Sequence, residues 1–166
     1  MKFLVVITLV VVSNTPMSIK AEKDLMIREC HNARVPTICM QCLESDSSSI
    51  HADPVGLAAI IINCLDSHLH ILTKQIEKGH DAIKTALEGC KKDLSEAITK
   101  ALPDAKNSLK TGDYDKAGKS VKLALGFPLS CSDSLQTTKF DFRSFYNRIR
   151  IYAQLSNAAM RIIDRF

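Results

Sequence analysis

The chain has 166 residues, of which 46% are hydrophobic and 24% are charged, and it contains six cysteines and no tryptophan. This is the length of a single domain with enough chain to bury a core without relying on disulfides. The formal net charge is +4 and falls to +2 without residues 1–21, which contain two lysines and no acid. So weak a positive surplus argues against a nucleic-acid partner.

Residues 1–21 have the pattern of a secretion signal peptide. Lys2 precedes an apolar run from Phe3 to Val12, and Ile19-Lys20-Ala21 is an acceptable cleavage signal. A membrane span needs ~20 apolar residues, about twice the length of this run, so we expect cleavage and no membrane partner afterwards. Export to an oxidising compartment favours disulfides over the redox motif that Cys39-Met40-Gln41-Cys42 could otherwise indicate.

Residues 22–46 predict a small helical hairpin ahead of the main helices. Pro36 separates two short helical pieces, and the polar stretch Asp46-Ser47-Ser48-Ser49 follows them. A disulfide between Cys30 and Cys39 would close a short loop within this hairpin.

From residue 53 onward, apolar residues recur at helical spacing in four segments, and no segment shows the alternation of a strand. The first begins with Asp53 as N-cap and Pro54 at the first helical position, and it ends at Gly79. The second runs from about Asp81 to Lys110, and Pro103 should bend it. The apolar line of the first segment consists of Ala58, Ile61, Leu65, Leu69, Leu72 and Ile76, and that of the second of Ile83, Leu87, Cys90, Leu94, Ala97, Ala101, Ala105 and Leu109.

The turn Thr111-Gly112-Asp113 leads into the third segment, which Gly126-Phe127-Pro128 should interrupt. Its apolar line is Tyr114, Ala117, Val121, Ala124, Pro128, Cys131 and Leu135, and that of the fourth segment is Phe142, Phe145, Ile149, Tyr152, Ser156, Ala159, Ile163 and Phe166. Four amphipathic helices joined by short loops predict an all-α fold. We expect an up-down-up-down four-helix bundle over residues 53–166, reinforced by disulfides.

The cysteines can be placed on this frame. With ~1.5 Å of rise per residue, Cys90 lies ~33 Å and Cys131 ~29 Å from the turn between the second and third helices, so these two could pair. Elimination leaves Cys42 and Cys64, which could tie the hairpin to the first bundle helix. Cys64 could instead be a buried thiol. Six cysteines permit many connectivities, and the spacing alone does not choose among them.

No catalytic or metal-binding pattern emerges from the sequence. The chain lacks a Gly-x-Ser-x-Gly elbow, a phosphate-binding glycine loop and a His-Glu-x-x-His helix. Cys64 and His68 are one helical turn apart, but a solvated or capping histidine is the favoured interpretation. Exposed acids such as Asp93 and Glu96 alternate with lysines, as on a solvated face. We therefore expect no enzyme activity, no cofactor and no metal.

Arginines are dense in the last helix, where they could face an acidic partner or an anionic polysaccharide. A solvated outer face is the favoured interpretation of this set. Its members are Arg143, Arg148, Arg150, Arg161 and Arg165.

Several short motifs follow one another in a characteristic order after the leader. They are Cys30 and Cys39 with eight residues between them, Cys42-Leu43-Glu44-Ser45-Asp46, Gly56-Leu57-Ala58-Ala59-Ile60, Cys90, Leu102-Pro103-Asp104-Ala105, Gly112-Asp113-Tyr114 and Cys131. With this spacing, the set resembles the plant invertase and pectin methylesterase inhibitor family over essentially the whole mature chain, residues 22–166.

The resemblance implies a four-helix bundle with an N-terminal hairpin and disulfides between Cys30 and Cys39 and between Cys90 and Cys131. Cys42 and Cys64 lie outside the four-cysteine pattern of the family. The resemblance also implies secretion to the cell wall, or apoplast, with the vacuole as the alternative destination. It implies a protein that inhibits a carbohydrate-active enzyme by covering its substrate cleft, and we expect a monomer that binds one to one.

The two branches of the family differ at the turn before the third bundle helix. In the similar proteins of the invertase-inhibiting branch, Pro-Lys-Phe follows Gly-Asp. This chain has Tyr114, Asp115 and Lys116 at these positions. Gly112-Asp113-Tyr114 is more similar to the other branch, which favours pectin methylesterase as the target and leaves acid invertase as the alternative. A non-inhibitory bundle that binds pectin or a small apolar ligand is the second alternative. Candidate partner contacts are Asp113, Tyr114, Asp115 and Lys116.

Overall fold

The structure, a computed structural model, describes residues 17–77, 83–136, 138 and 141–166. These residues are mostly helical and contain no strand. In chain order the α-helices are α1 (Met17–Asn32), α2 (Pro36–Glu44), α3 (Pro54–Glu77), α4 (Lys84–Glu96), α5 (Leu102–Thr111), α6 (Tyr114–Gln136) and α7 (Arg143–Ile163). A 3₁₀ turn occupies Ser47–His51, and a π-helical turn occupies Ala97–Ala101.

The helices form an up-down-up-down bundle, as predicted. Helix α3 packs most extensively against α7, while α4 and α5 pack against α6, and α6 also packs along α7. Helices α1 and α2 form the hairpin and contact α3 and α7. Helix α1 begins at Met17, before the predicted cleavage position, whereas residues 1–16 and the predicted stop at Gly79 lie outside the described residues.

Helix α3 begins as the sequence predicts and supplies much of the core. The Asp53 carboxylate accepts a hydrogen bond of 2.7 Å from the Gly56 N–H, and Pro54 is the first helical residue. The helix is apolar and long enough to cross a membrane by length and composition. Its predicted apolar line nevertheless lies in the bundle core, where Leu57, Ala58, Ile61, Ile62, Leu65, Leu69 and Leu72 are fully buried.

A π-helical turn interrupts the second bundle helix just before Pro103. Proline lacks an N–H, and its ring clashes with the carbonyl four residues earlier, so a regular helix cannot continue unchanged around it. The turn at Ala97–Ala101 directly precedes α5, in which Pro103 is at the start. The wider turn accommodates the proline, and α4 and α5 both pack against α6.

The predicted interruption of the third bundle helix is wrong. Helix α6 passes through Gly126-Phe127-Pro128 and continues to Gln136, with Pro128 buried. Proline cannot donate to the carbonyl of Ala124, but the Tyr152 hydroxyl on α7 donates to that oxygen at 3.3 Å. Burial, with a smaller contribution from the Asp66 charge, raises the pKa of Tyr152, so this hydroxyl keeps its proton. A tertiary contact thus replaces the missing helical hydrogen bond.

The predicted core position of Phe166 is also wrong. Helix α7 ends at Ile163, and Phe166 lies beyond it with 46% of its surface exposed. Its ring contacts that of Tyr114, with centroids 5.1 Å apart. The residue therefore belongs to the surface at the end of the bundle.

All six cysteines lie in the described part of the chain, and each is in a disulfide. Cys30–Cys39 closes the hairpin with a Cα separation of 5.4 Å, and Cys90–Cys131 joins α4 to α6 at 4.6 Å. Cys42–Cys64 joins α2 to α3 at 6.1 Å. These separations suit disulfide geometry. In the structure Cys64 is therefore a covalent link between hairpin and bundle, and not a buried thiol.

An ion pair also holds the hairpin to the bundle. The Glu29 carboxylate on α1 is only 4% exposed and is paired with the Arg165 guanidinium beyond the end of α7. A buried carboxylate without its cation would be costly, so this contact fixes where α1 can lie. The hairpin consequently lies at the same end of the bundle as the C-terminal residues. The turn before α6 is at this end too, because Tyr114 contacts Phe166.

Replacing Tyr152 by phenylalanine should lower the free energy of unfolding by about 1–2 kcal/mol, because it leaves the buried Ala124 carbonyl without a donor. Tyr146→Phe is the control, since Tyr146 is only half-buried and is not part of this contact. Urea unfolding of the two variants measures the difference. Equal stabilities would mean that the hydroxyl does not support α6.

Replacing Cys42 and Cys64 together by alanine should weaken the packing of the hairpin on the bundle more than it weakens the bundle itself. The disulfide closes a loop of 22 residues, for which chain entropy predicts about 3 kcal/mol of stabilisation. Amide hydrogen exchange should rise in α1 and α2 while α4 and α6, still joined by Cys90–Cys131, keep their protection. A uniform rise along the whole chain would contradict this assignment of the link.

Candidate functional site

The turn between α5 and α6 has a well-defined backbone conformation. Gly112 has a φ of 78°, in the left-handed region that only glycine adopts at little cost. Its N–H donates to the Leu109 carbonyl at 3.2 Å, and the next N–H, of Asp113, donates to the Ser108 carbonyl at 2.9 Å. This hydrogen-bonded ending satisfies carbonyls that the last turn of α5 leaves open. The loop is short, and two consecutive N–H groups tie it back to α5.

Asp113, the first predicted contact residue, has a structural role in the turn. Its side chain accepts a hydrogen bond of 3.1 Å from the Lys116 N–H, and its carbonyl accepts one of 2.9 Å from Ala117. It therefore caps α6, in the way that aspartate commonly caps helices. One oxygen of this exposed carboxylate is engaged by the cap.

The other three predicted contact residues lie together on the first turn of α6. Asp115 and Lys116 are exposed, and Tyr114 is half-buried against Phe166. The structure thus brings all four predicted residues to the end of the bundle and adds Phe166, which sequence reasoning placed in the core. Its position after the last helical turn was the available signal, because a residue outside the helix need not follow the helical line.

An exposed stripe on α6 continues from this turn along the bundle. Leu123 and Leu129 are 58% and 42% exposed, the largest exposed fractions of leucines in the described residues. Positions separated by three, four or seven residues lie on the same side of a helix. The stripe, here called the α6 face, consists of Asp115, Lys119, Lys122, Leu123, Gly126 and Leu129, all exposed.

The arginines of α7 and the C-terminal residues after it do not form one surface. Arg143 is paired with Asp141 at 2.7 Å, Arg165 with Glu29, and Arg148 lies half-buried against His68. Hydrogen bonds from Arg143 lower the pKa of Asp141. Because these residues engage three separate parts of the molecule, a continuous basic rim is not available to a partner.

The candidate metal ligands and acid-base residues are either far from one another or already bonded to other residues. Cys64 is disulfide-bonded, so it cannot act as a ligand beside His68. Among the residues that the structure describes, no three His, Cys, Asp or Glu side chains could hold a metal ion together. Glu96 pairs with Lys100 at 2.8 Å on a solvated part of the π-helical turn.

The chain is similar to known proteins over most of its length. The model of the family described as "Plant invertase/pectin methylesterase inhibitor" matches residues 25–162. The chain belongs to this family. The match includes α2 to α6, the second half of α1 and almost all of α7, so the resemblance in the short motifs is confirmed. The family is one of inhibitors and not of enzymes, which agrees with the expectation of no catalytic activity.

Individual relatives agree with the family assignment. A pectinesterase inhibitor of Actinidia deliciosa is 30% identical over 124 residues, which cover 72% of this chain and 66% of that protein. The chain thus spans just under two thirds of the length of this relative.

Solved structures match the helical architecture. A pectin methylesterase inhibitor from Arabidopsis, in a mutant form, has a TM-score of 0.68 at 21% identity, covering 81% of this chain and 92% of that one. The inhibitor from Arabidopsis thaliana has a TM-score of 0.62 at 22% identity, with 84% and 93% covered. At these identities, the matches support the fold alone.

Gly112→Ala should destabilise the protein by about 1–2 kcal/mol, because a Cβ is disfavoured at a φ of 78°. Gly89→Ala is the matched control: Gly89 is exposed within α4 and an added Cβ would meet nothing within 4 Å. That change should stabilise the protein by up to about 1 kcal/mol. Thermal or urea unfolding measures the stability of the two variants. If both variants were more stable than the parent protein, or both less stable, this interpretation of the turn would be refuted.

Proposed function

We propose that this protein is a secreted inhibitor of pectin methylesterase that binds its target one to one and covers the substrate cleft. The observation that carries the proposal is membership of the inhibitor family together with 30% identity to a pectinesterase inhibitor. The predicted signal peptide supports secretion to the cell wall, where pectin is found.

The rigidity of the scaffold supports inhibition by docking. Three disulfides join α1 to α2, α2 to α3 and α4 to α6, and hydrogen bonds from Gly112 and Asp113 tie the turn before α6 to the end of α5. A surface that is already ordered loses little conformational entropy on binding, so more of the contact energy contributes to affinity. Small rigid inhibitors can therefore bind tightly with an interface of ordinary size.

We assign the contact to the α6 face and the adjoining turn. Exposed leucines surrounded by charged residues have the composition of a protein interface, in which apolar groups are desolvated at the centre and charges form the rim. Leu123 lies centrally on this surface, with Lys119 and Lys122 beside it, and the rings of Tyr114 and Phe166 lie at its end. The two lysines suit an acidic rim on the target.

Acid invertase is the alternative target, and the vacuole is then the alternative location. The turn argues for pectin methylesterase, because Tyr114, Asp115 and Lys116 stand where the invertase-inhibiting branch carries Pro-Lys-Phe. Direct binding of pectin by the arginines of α7 and the C-terminal residues has less support, since Arg143 and Arg165 are already ion-paired with carboxylates.

The test is a titration of the oxidised mature protein against pectin methylesterase and acid invertase in parallel. Esterase activity should fall linearly with added protein and reach its minimum near one equivalent, while invertase activity should not change. Inhibition of invertase alone would establish the alternative, and full activity of both enzymes at molar excess would end the proposal.

The assigned surface can be tested by placing a charge at its centre. Leu123→Asp should weaken inhibition at least about tenfold, equivalent to about 1.4 kcal/mol, because a carboxylate would be desolvated at the interface. Ile27→Asp is the control, since Ile27 is 47% exposed but lies on α1, away from the α6 face. Unchanged inhibition by folded Leu123→Asp, or an equal loss in both variants, would exclude this surface as the specific contact.

A further inference from the structure

A groove lies between the hairpin and the bundle, away from the α6 face. It has a volume of about 320 Å³ and is lined by residues of α2, α3 and α7 and the residue that follows α2. Ligand pockets range over roughly 300–1,000 Å³, so the groove is at the small end of this range. Ile38, Ile71 and Ile151 contribute apolar surface, while Ser67, His68 and Arg148 contribute polar groups.

Arg148 is a cation without a carboxylate partner among the described residues. Its Nη1 lies 3.2 Å from Nδ1 of His68, and its buried Nε has no hydrogen-bond partner there. Asp66, on the same helix as His68, is instead paired with Lys106 at 3.3 Å. A guanidinium keeps its charge at any physiological pH, so a half-buried one without an anion is costly to maintain.

His68 does not balance the positive charge of Arg148, but it adds a hydrogen-bond donor to the groove. Burial, and then the Arg148 charge, lower the pKa of His68, so its ring is neutral near neutral pH. A neutral ring that accepts an N–H of Arg148 at Nδ1 carries its own proton on Nε2. The groove therefore contains a fixed cation and a second N–H donor beside apolar walls.

We propose that this groove binds the carboxylate of a small organic acid of hexuronate size, with Arg148 as its ion-pair partner. A guanidinium matches the geometry of a carboxylate and can donate two parallel hydrogen bonds to it. The apolar face of a sugar ring would lie against the isoleucines. The choice of galacturonate as the ligand rests on the proposed function, because a pectin methylesterase leaves galacturonate carboxylates as its product. The site itself rests on the groove and on Arg148.

The test is a titration of the oxidised mature protein with potassium galacturonate, followed by the NMR signals of the Arg148 Nε–H and the backbone amides of α3 and α7. We expect saturable shifts at residues 67, 68, 148 and 151 with an affinity near millimolar, about −4 kcal/mol. Methyl galacturonate, neutral galactose and potassium chloride are the controls. Equal shifts with any of these three, or no saturable shift with galacturonate, would overturn the proposal.

Variants separate the ion pair from a structural role of the arginine. Arg148→Gln should lose at least about tenfold in affinity, whereas Arg150→Gln, exposed on the same helix and outside the groove, should bind like the parent protein. Equal binding by folded Arg148→Gln, checked by its amide spectrum, would refute the ion pair. If Arg148→Gln does not fold, Arg148→Lys should retain charge but bind more weakly than the parent. Unchanged affinity of Arg148→Lys would refute the proposed bidentate contact.

The source of the carboxylate can be distinguished with trigalacturonate. If trigalacturonate binds more tightly than galacturonate, the site recognises the end of a pectin chain. If the two bind equally, it recognises the free acid. Both outcomes support a carboxylate site. Neither measurement contains an esterase. Failure of the groove to bind and failure of the protein to inhibit are therefore independent results.

Discussion

The hydrogen bond between the Tyr152 hydroxyl and the Ala124 carbonyl is the constraint on which the form of this bundle depends. Pro128 removes the only N–H that a regular helix would offer to that carbonyl, and the position is buried, where an unpaired carbonyl is costly. Because α7 supplies the donor, α6 continues as one helix. This continuity places Cys131 opposite Cys90 and gives the α6 face its length along the bundle.

The end of the bundle with the turn is held by contacts of several kinds. Cys42–Cys64 and the Glu29–Arg165 ion pair fix the hairpin, and the left-handed Gly112 together with the Asp113 cap fixes the turn. Each contact restricts the backbone in a different place, so the end is ordered without a large core of its own. Such order is what an inhibitor surface requires, because flexibility at the contact would be lost on binding.

The sequence predicts most of this fold because its evidence is local. Helical periodicity, the Asp53 cap, the irregular turn beside Pro103 and the glycine turn each depend on residues within a few positions of one another. The continuity of α6 could not be predicted, since the group that compensates for Pro128 lies on another helix, 28 residues from Ala124. The sequence rule for proline describes an isolated helix, and here a tertiary contact overrides it.

The candidate site also contains residues that the sequence predicts and others that only the tertiary structure reveals. The motif predicts the four turn residues as contacts, which stays a prediction, and their grouping follows from adjacency in the chain. Phe166 was assigned to the core because it continues an apolar line, although the helix ends before it. The groove had no sequence signal at all. His68 and Arg148 are 80 residues apart, and only the packing of α3 against α7 brings them together.

Helix α7 adjoins both surfaces, since it supports α6 through Tyr152 and lines the groove through Arg148 and Ile151. Energetic coupling between two sites requires an element with two arrangements that both ligands bias. Tyr152 is fully buried and hydrogen-bonded, so it resists a shift of α7 along α6. Occupation of the proposed groove site should therefore leave the α6 face unchanged, so binding of a small acid should not alter the proposed contact with an enzyme.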